Sequence, residues 1–139
     1  MIRLDRITTA LPAGLDALQA EARASGHSML DTLEREWQTG ETRFDRPGEA
    51  LYAAYVDSVL AGIGGLTLEP AVPGALRMRR FYVCRRFRRA GVARALAGAL
   101  LDADAGRMVT ANAAAGSEPF WEALGFIPDR RDGHTHVLR

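Results

Sequence analysis

The feature that most constrains the fold is a strand, a helix and a second strand that follow one another between residues 75 and 112. Residues 75–83 read ALRMRRFYV, residues 91–105 show a helix pattern of mainly Ala and Leu, and residues 107–112 read RMVTAN. That order predicts a βαβ crossover, which requires a parallel pair of strands in one sheet. In the first strand, regular alternation predicts two faces. They are Leu76, Met78, Arg80 and Tyr82 on one side and Arg77, Arg79, Phe81 and Val83 on the other.

The other elements are indicated by helical or alternating spacing of apolar residues and by glycines or tight turns at their ends. They are strands at 1–7, 50–56, 59–68 and 134–139, helices at 13–25 and 117–124, and a helix from Ser28 or Asp31 to Gly40. The sequence thus predicts an α+β (α/β-like) fold. Its single mixed, mostly antiparallel sheet has about six to seven strands and is flanked by about four helices.

The composition is that of one globular domain. The chain has 139 residues, of which 47% are hydrophobic and 25% charged, so we expect a single domain over residues 1–139. No apolar run approaches the ~20 residues of a membrane span, and the charged start MIRLDRITTALPAG does not resemble a signal peptide. The single cysteine, Cys84, allows no internal disulfide. We therefore expect a cytoplasmic protein with no membrane partner.

Positive charge is concentrated in one short segment. Residues 76–100 hold eight arginines and no acidic residue, although the formal net charge of the chain is only +1. The segment contains the loop CRRFRRAGV between the predicted strand and helix. Because the amides and the dipole at a helix N-terminus favour an anion, this loop is a candidate phosphate site. A nucleic-acid binder that grips phosphates with the same arginines is the competing interpretation, although the motifs described next make nucleic acid the less favoured partner.

The residue types in this loop suit a diphosphate. Gly91 leaves the main chain bare where a side chain would push the anion away, and Ala93 keeps the next turn small. Arg88, Arg89 and Arg94 could add charge-assisted hydrogen bonds. The loop has neither the glycines of a dinucleotide site nor the Gly-Lys-Ser or Gly-Lys-Thr of a nucleotide triphosphate loop. The variant Gly91→Glu is therefore expected to lose anion binding while its fold stays intact.

Two motifs resemble those of the GCN5-related N-acetyltransferases, the GNAT superfamily. The first is Arg or Gln, two residues, Gly, one residue, then Gly or Ala, which corresponds to residues 88–93 and follows the aromatic-Val pair of FYV. The second is an Asn that ends the next strand, Asn112, followed by a short helix with FWEALGF at 120–126. The resemblance implies an acyl-CoA N-acyltransferase fold. It also implies direct transfer of an acetyl group from acetyl-CoA to a primary amine.

The resemblance further implies where acetyl-CoA lies, wedged between the two strands of the crossover, which splay apart. The pantetheine arm would pair with the first strand near Phe81 and Val83, and Asn112 would hold it from the opposite strand. The implied cofactor-binding residues are Phe81, Val83, Arg88, Arg89, Ala90, Gly91, Val92, Ala93, Arg94, Asn112, Ser117, Phe120 and Trp121. No metal is implied. The acceptor would be a small-molecule or protein amine, and relatives often form homodimers through their C-terminal strands.

The groups that move protons stay open. Family members often protonate the leaving thiolate from a tyrosine, but Trp121 stands at that position and an indole cannot act as a general acid near neutral pH. Ser117 or water is the alternative donor. For a general base the candidates are Glu69, Asp57 and Glu49, or a chain of waters, and a solvated surface charge is the favoured interpretation of each carboxylate. A non-catalytic acyl-CoA-binding module is therefore a further alternative.

Three smaller features allow two interpretations each. His134 and His136 could form a metal pair, but a solvent-facing strand edge is favoured. Cys84 lies beside arginines that would make an exposed thiol reactive, and a buried or incidental cysteine is favoured over an acyl carrier. The glycines of GIGG at 62–65 indicate a flexible strand or a bulge that admits a ligand.

The resemblance also implies that the acceptor wall lies within residues 27–46, on the second predicted helix and the loop after it. This segment is rich in acidic residues, which could form a rim for a cationic amine. A solvated helix face is the favoured alternative. The residues concerned are Asp31, Glu34, Glu36 and Glu41.

Overall fold

The structure is a computed structural model that describes residues 1–102, 106–131 and 133–139. Its elements are β1 (Ile2–Arg6), α1 (Leu15–Ala24), α2 (Met29–Thr39), β2 (Ala50–Val56), β3 (Val59–Leu68), β4 (Leu76–Val83), α3 (Val92–Asp102), β5 (Val109–Ala111), α4 (Glu118–Ala123), β6 (Ile127–Arg131) and β7 (His134–Leu138). The elements predicted from the sequence occur in the predicted order, with one further strand, β6, before β7. The helix predicted at 91–105 is found as far as Asp102, and the rest of its range lies outside the described residues.

The strands form one seven-stranded sheet in the order β1-β2-β3-β4-β5-β7-β6. Every neighbouring pair is antiparallel except β4 and β5, which are parallel and are joined by α3. The predicted mixed, mostly antiparallel sheet with four helices is therefore confirmed. The sequence analysis missed β6, because its five residues, IPDRR, form a largely exposed edge strand with a proline and three charges and no alternating pattern.

The helices cover both faces of the sheet. On one face α1 and α2 pack their apolar sides, including Leu18 and Leu33, onto Ile63 in the middle of β3. On the other face, Leu100 of α3 lies in the same buried cluster as Phe126, which follows α4. Fully burying one such side chain contributes about 1.5–3 kcal/mol, so the two clusters account for much of the stability. Within the described residues, no helix is long and apolar enough to cross a membrane.

A β-bulge in β4 changes the predicted faces of this strand. The register with β3 shifts so that Gly64 alone lies opposite Arg80 and Phe81, and Arg80 has a φ of 57°. Before the bulge, Met78 packs in the cluster under α3 and α4. After it, Tyr82 packs in the cluster under α1 and α2. Arg80 shares the face of Tyr82, as predicted, since it pairs with Glu36 of α2, but the prediction that Met78 lies on this face too is wrong, because regular alternation fails at the extra residue.

The sheet is split next to this bulge. Strands β4 and β5 share only two residue pairs, Leu76 with Val109 and Arg77 with Thr110. Beyond Arg77, the edge of β4 that faces β5 has no neighbouring strand among the described residues. Peptide groups on such an edge can pair with an extended ligand.

The glycines of β3 make room for aromatic rings. A Cβ on Gly64 would lie 2.6 Å from Cδ2 of Phe81, and one on Gly65 would lie 2.4 Å from Cε1 of Phe44. The strand is buried from Leu60 to Thr67. The sequence indicated a flexible strand or access for a ligand, but the space over Gly64 and Gly65 is filled by the protein's own side chains.

The C-terminal hairpin buries both histidines of β7. This strand lies between β5 and β6, and His134 and His136 are only 5% and 1% exposed. The prediction of a solvent-facing edge is wrong, because the unpredicted β6 forms the edge instead. His136 contacts Glu122 Oε2 through Nε2 at 2.9 Å, and His134 Nε2 lies 3.8 Å from Asp129 Oδ1. Among the described residues, no three His, Cys, Asp or Glu side chains converge as metal ligands.

Candidate functional site

The turn between β4 and α3 has an unusual backbone shape. A 3₁₀ turn at Arg85–Phe87 is followed by Arg89 with a φ of 66° and Gly91 with a φ of 86°, and α3 then begins at Val92. The left-handed φ of Gly91 disfavours any side chain there, whatever space is available. The expectation that Gly91→Glu keeps the fold intact is corrected for this reason, and Gly91 is needed for the turn itself.

The amides around the start of α3 point to anion binding. Those of Arg88 and Ala90 donate to the protein's own carbonyls, both at 3.3 Å, and the first helical hydrogen bond runs from Ala95 to Gly91 at 3.0 Å. The other amides of the turn have no protein acceptor in the described part of the chain. They are those of Arg89, Gly91, Val92, Ala93 and Arg94. Unpaired amides at the positive end of an 11-residue helix favour a negatively charged ligand.

Glu21 of α1 fastens this turn to the end of β4. Its Oε2 accepts hydrogen bonds from the Tyr82 hydroxyl at 2.5 Å and from the Arg85 amide at 2.9 Å, and its Oε1 accepts one from Cys84 Sγ at 3.4 Å. The hydrogen bond from Tyr82 is the largest cause that holds the pKa of Glu21 below its ordinary value of 4.5. Burial, followed by the hydrogen bond to Glu21, raises the pKa of Tyr82 to about 12. Cys84 thus serves as a donor in a structural cluster.

The arginines of the turn point in different directions. Arg88 donates from Nε to the Val83 carbonyl at 3.1 Å, and its guanidinium lies 5.4 Å from the centre of the Tyr82 ring. Arg85 donates to the Ser25 hydroxyl at 2.8 Å. Arg88 therefore faces the split in the sheet, whereas Arg85 is tied to the end of α1.

Two adjoining cavities run from the turn into the split sheet. The turn cavity, of about 440 Å³, lies against residues 87–94, and the cleft cavity, of about 460 Å³, lies along β4. Both sizes are typical of small-molecule sites. The residues common to both are Val83, Arg88, Ala93 and Phe120. Of the thirteen cofactor-binding residues implied by the sequence, all except Ala90 line one cavity or both.

An aromatic cluster forms one wall of the cleft cavity. The ring of Trp121 is perpendicular to its neighbours, with its centre 5.3 Å from Phe81 and 5.0 Å from Phe120. Trp121 is 6% exposed, so its indole is held rigidly by packing. The position at which the resemblance implies a tyrosine therefore supplies an apolar wall.

Two polar residues on the β5 side line the same cavity. Asn112 follows directly after β5, and Ser117 precedes α4. The Ser117 hydroxyl donates to the carbonyl of Ala114 at 2.7 Å, which occupies its proton. Its oxygen can still accept a hydrogen bond.

The three candidate bases lie away from the cleft cavity. Glu69 is 4% exposed and accepts a hydrogen bond from Thr110 at 3.1 Å at the base of the split. Glu49 is 6% exposed and accepts from the Leu68 amide at 2.9 Å. The interpretation of these two as solvated surface charges is wrong, because each is buried and accepts a hydrogen bond from within the protein. Asp57 is exposed in the turn between β2 and β3, as expected.

The acidic residues of α2 are partly neutralised. Asp31 accepts from Arg23 at 2.7 Å, and Glu36 accepts from Arg80 of the bulge at 2.8 Å. Side chains that already form ion pairs add little attraction for a cationic amine. The acidic rim is therefore reduced to Glu34 and Glu41.

Comparison with known protein families gives the class of the protein. Residues 18–137 match the sequence model of the acetyltransferase (GNAT) domain. The fold and this match define the chain as an N-acetyltransferase that catalyses acetyl transfer. It belongs to the GNAT family, as the two motifs in its sequence indicated. No protein of curated function matches the sequence significantly.

Solved structures share the whole fold. A protein from Exiguobacterium sp. 255-15 described as an acetyltransferase is 20% identical, with a TM-score of 0.90 over 99% of this chain and 93% of its own. The Bacillus subtilis N-acetyltransferase YlbP, solved in complex with coenzyme A, is 16% identical, with a TM-score of 0.64 over 100% and 97%. Glucosamine-6-phosphate N-acetyltransferase from Arabidopsis thaliana is 12% identical, with a TM-score of 0.65 over 95% of both chains. These similarities show the fold.

Proposed function

We propose that this protein transfers the acetyl group of acetyl-CoA to a primary amine by direct attack of the amine on the thioester. The observation that supports this most strongly is the continuity of the two cavities from the unpaired amides of α3 to the unpaired edge of β4. The diphosphate of the cofactor binds the amides between Arg89 and Arg94. The pantetheine arm follows β4 past Val83 and Phe81, with Asn112 on its other side, and the acetyl group lies near Trp121.

The cofactor supplies an activated acyl group, and the protein's residues position it. A main-chain amide of β4 near Phe81 polarises the thioester carbonyl and stabilises the oxyanion that forms on attack. The expelled thiolate is a tolerable leaving group, since the pKa of a thiol is about 8.5. Tyr82 is a poor proton donor near neutral pH, because its pKa is about 12 and its proton is held by Glu21. The Ser117 hydroxyl likewise has its proton engaged, by the Ala114 carbonyl at 2.7 Å, so water completes the protonation.

The amine is deprotonated without a carboxylate in contact with it. The described residues that line the cleft cavity include no Asp or Glu, but they include Arg77, Arg79 and Arg80. Neighbouring positive charge favours the neutral form of an amine, which is the form that attacks. The proton leaves through water, and Glu69 lies beyond Arg77 of the cavity wall, with its Oε2 at 3.6 Å from the Arg77 guanidinium.

Cofactor binding is tested by the variant Ala93→Glu, with Ala93→Gln as its control. Ala93 lies in the first turn of α3 and lines both cavities, so a carboxylate there repels the diphosphate while it interacts favourably with the helix dipole. We expect affinity for acetyl-CoA, measured by calorimetry, to fall about 100-fold in the Glu variant and clearly less in the Gln variant. Melting temperatures without ligand should stay at or above that of the native protein. Unchanged affinity in the Glu variant would place the diphosphate elsewhere.

Catalysis and the competing functions are separated by two assays. In thermal-shift experiments we expect stabilisation by acetyl-CoA and by CoA, and none by duplex DNA. Release of free thiol from acetyl-CoA is then followed with a panel of primary amines. Stabilisation by DNA alone would support a nucleic-acid binder. Binding of acetyl-CoA without thiol release for any amine would support a non-catalytic module.

A further inference from the structure

The bulge in β4 creates an excess of positive charge on the face covered by α2. Because of the extra residue, Arg79 and Arg80 both lie on the same side as Arg77, instead of alternating. Arg80 is paired with Glu36 at 2.8 Å, and Arg77 with Glu69 at 3.6 Å. Three guanidinium groups therefore share two carboxylates.

Arg79 is the member of this group without a partner. It is partly buried, and no carboxylate lies within ion-pair distance of it among the described residues. Burial, together with the nearby charges of Arg80 and Arg77, lowers the pKa of Arg79 from its ordinary value, and the more distant carboxylates of Glu36 and Glu69 offset this only in part. Buried charges in proteins are normally paired, so a partly buried guanidinium without a partner is a candidate anion site.

Arg79 also joins the cleft cavity to a third cavity. This polar cavity, of about 420 Å³, lies between the end of β3 and the loop after α2, and Arg79 lines both spaces. Thr67 of β3 lines the polar cavity as well. Its hydroxyl is buried and has no hydrogen-bond partner in the described part of the chain. An unpaired guanidinium and a threonine whose buried hydroxyl has no partner in the described residues thus line the same space.

The acidic residues of the polar cavity do not neutralise Arg79. Glu49 directs its two carboxylate oxygens to the amides of Arg46 and Leu68, at 3.3 and 2.9 Å. Glu41 and Asp45 are exposed at the rim and form no ion pair with Arg79. The space beside Arg79 therefore keeps a positive charge that a ligand can use.

We infer that the acceptor amine carries an oxyanion, a carboxylate or a phosphate group, which is bound by the guanidinium of Arg79 with the hydroxyl of Thr67 beside it. The inference rests on the proposed function, because it concerns the second substrate of the same reaction. It replaces the cationic acceptor that an acidic rim would favour. A bidentate contact from an arginine suits either oxyanion.

Matched acceptor pairs test the inference. Thiol release is measured with glucosamine 6-phosphate against glucosamine, and with glycine and glutamate against their amides, with spermidine as a purely cationic amine. We expect kcat/KM to be at least about tenfold higher for one class of oxyanion-bearing amine than for its neutral partner. The first pair reports on phosphate and the second on carboxylate. Equal rates within both pairs, or preference for spermidine, would overturn the inference while leaving acetyl transfer itself established.

The role of Arg79 is tested with Arg79→Gln, and Arg35→Gln on the exposed side of α2 serves as control. We expect the Gln variant to raise KM for the oxyanion-bearing amine about 10- to 100-fold, with the KM for acetyl-CoA unchanged and a clearly smaller loss of kcat/KM with the neutral partner, which loses only the general effect of one positive charge. Arg79→Lys should recover part of the loss, since it restores the charge without the planar fork. An equal loss with charged and neutral amines would assign Arg79 a structural role and overturn the inference. If acetyl-CoA binds but no amine is acetylated, the result contradicts the proposed acetyl transfer itself.

Discussion

At the scale of single residues, the inner strand β3 tolerates almost no added volume. The rings of Phe44 and Phe81 lie against Gly65 and Gly64, at distances where a real Cβ does not fit. Interiors packed to this density respond to one extra methyl group. Substitutions at the two glycines should therefore have different effects. A side chain on Gly65 displaces Phe44 in the core under α2, whereas one on Gly64 displaces Phe81 in the cleft cavity.

We expect Gly65→Ala to lower the free energy of unfolding by about 1–3 kcal/mol, because its Cβ collides with the Phe44 ring. Gly98→Ala is the control, since Gly98 lies inside α3 and a Cβ there meets nothing within 4 Å. Alanine favours the helix over glycine, so that variant should be more stable by about 0.5–1 kcal/mol. Urea unfolding measures both. A Gly65 variant as stable as the native protein would mean that Phe44 can move aside freely.

At the scale of elements, the junction of α1, β4 and the turn before α3 depends on one carboxylate. Glu21 is 61 residues from Tyr82 in the sequence, and it accepts hydrogen bonds from that side chain and from the Arg85 amide. This contact holds the turn in place beside the cleft. Its energy varies with pH, because the pKa of Glu21 is lower in the folded state than the ordinary carboxyl value.

We expect the native protein to lose stability as the pH falls below about 4.5, where an unfolded Glu21 takes up a proton, and further as the folded Glu21 is protonated at its lowered pKa. Glu21→Gln should be less stable at neutral pH, with a flatter dependence between pH 6 and 3, measured by urea unfolding at each pH. Glu41→Gln makes the same change at an exposed rim position and controls for the loss of one charge. A parallel pH dependence of Glu21→Gln and the native protein would contradict the assignment.

The elements themselves could largely be predicted from local patterns, whereas their contacts could not. Periodic apolar residues and glycines mark α1, α2 and the hairpin of β2 and β3. The GNAT motifs mark the turn and the aromatic wall at Trp121. The bulge at Arg80 coincides with the adjacent arginines Arg79 and Arg80, where charged and apolar residues stop alternating, but only the pairing with β3 shows that this break is a bulge. Glu21 and Arg79 were missed for the same reason: their partners, or the lack of them, are set by chain segments far away in sequence.

At the scale of the whole molecule, the sheet consists of two parts that are joined by few residue pairs. Strands β1 to β4 form one part and β5, β7 and β6 the other, and only two residue pairs of β4 and β5 connect them. The proposed cofactor position bridges the two parts beyond this connection. Binding should therefore change the sheet as a whole, beyond the residues in direct contact.

We expect acetyl-CoA to slow amide hydrogen exchange on both sides of the split, in β4 after Arg77 and in β5 and the residues after it. The reason is that a ligand that binds only the folded state makes opening of the sheet less favourable. The amides of β1, on the far edge, should change least and serve as the internal control. Mass spectrometry of labelled peptides with and without acetyl-CoA measures this. Protection confined to the turn at residues 88–94 would show that only the diphosphate end is bound.

The split sheet also bears on self-association. A strand edge without a neighbour normally attracts other polypeptides, and proteins guard such edges with charge or cover. The free edge of β4 lies inside a cavity of about 460 Å³ walled by Trp121 and Phe120, with Arg88 at its mouth. Walls around such an edge cover it against pairing with a strand of another molecule. The side chains that shape the ligand cavity therefore also guard the sheet against aggregation.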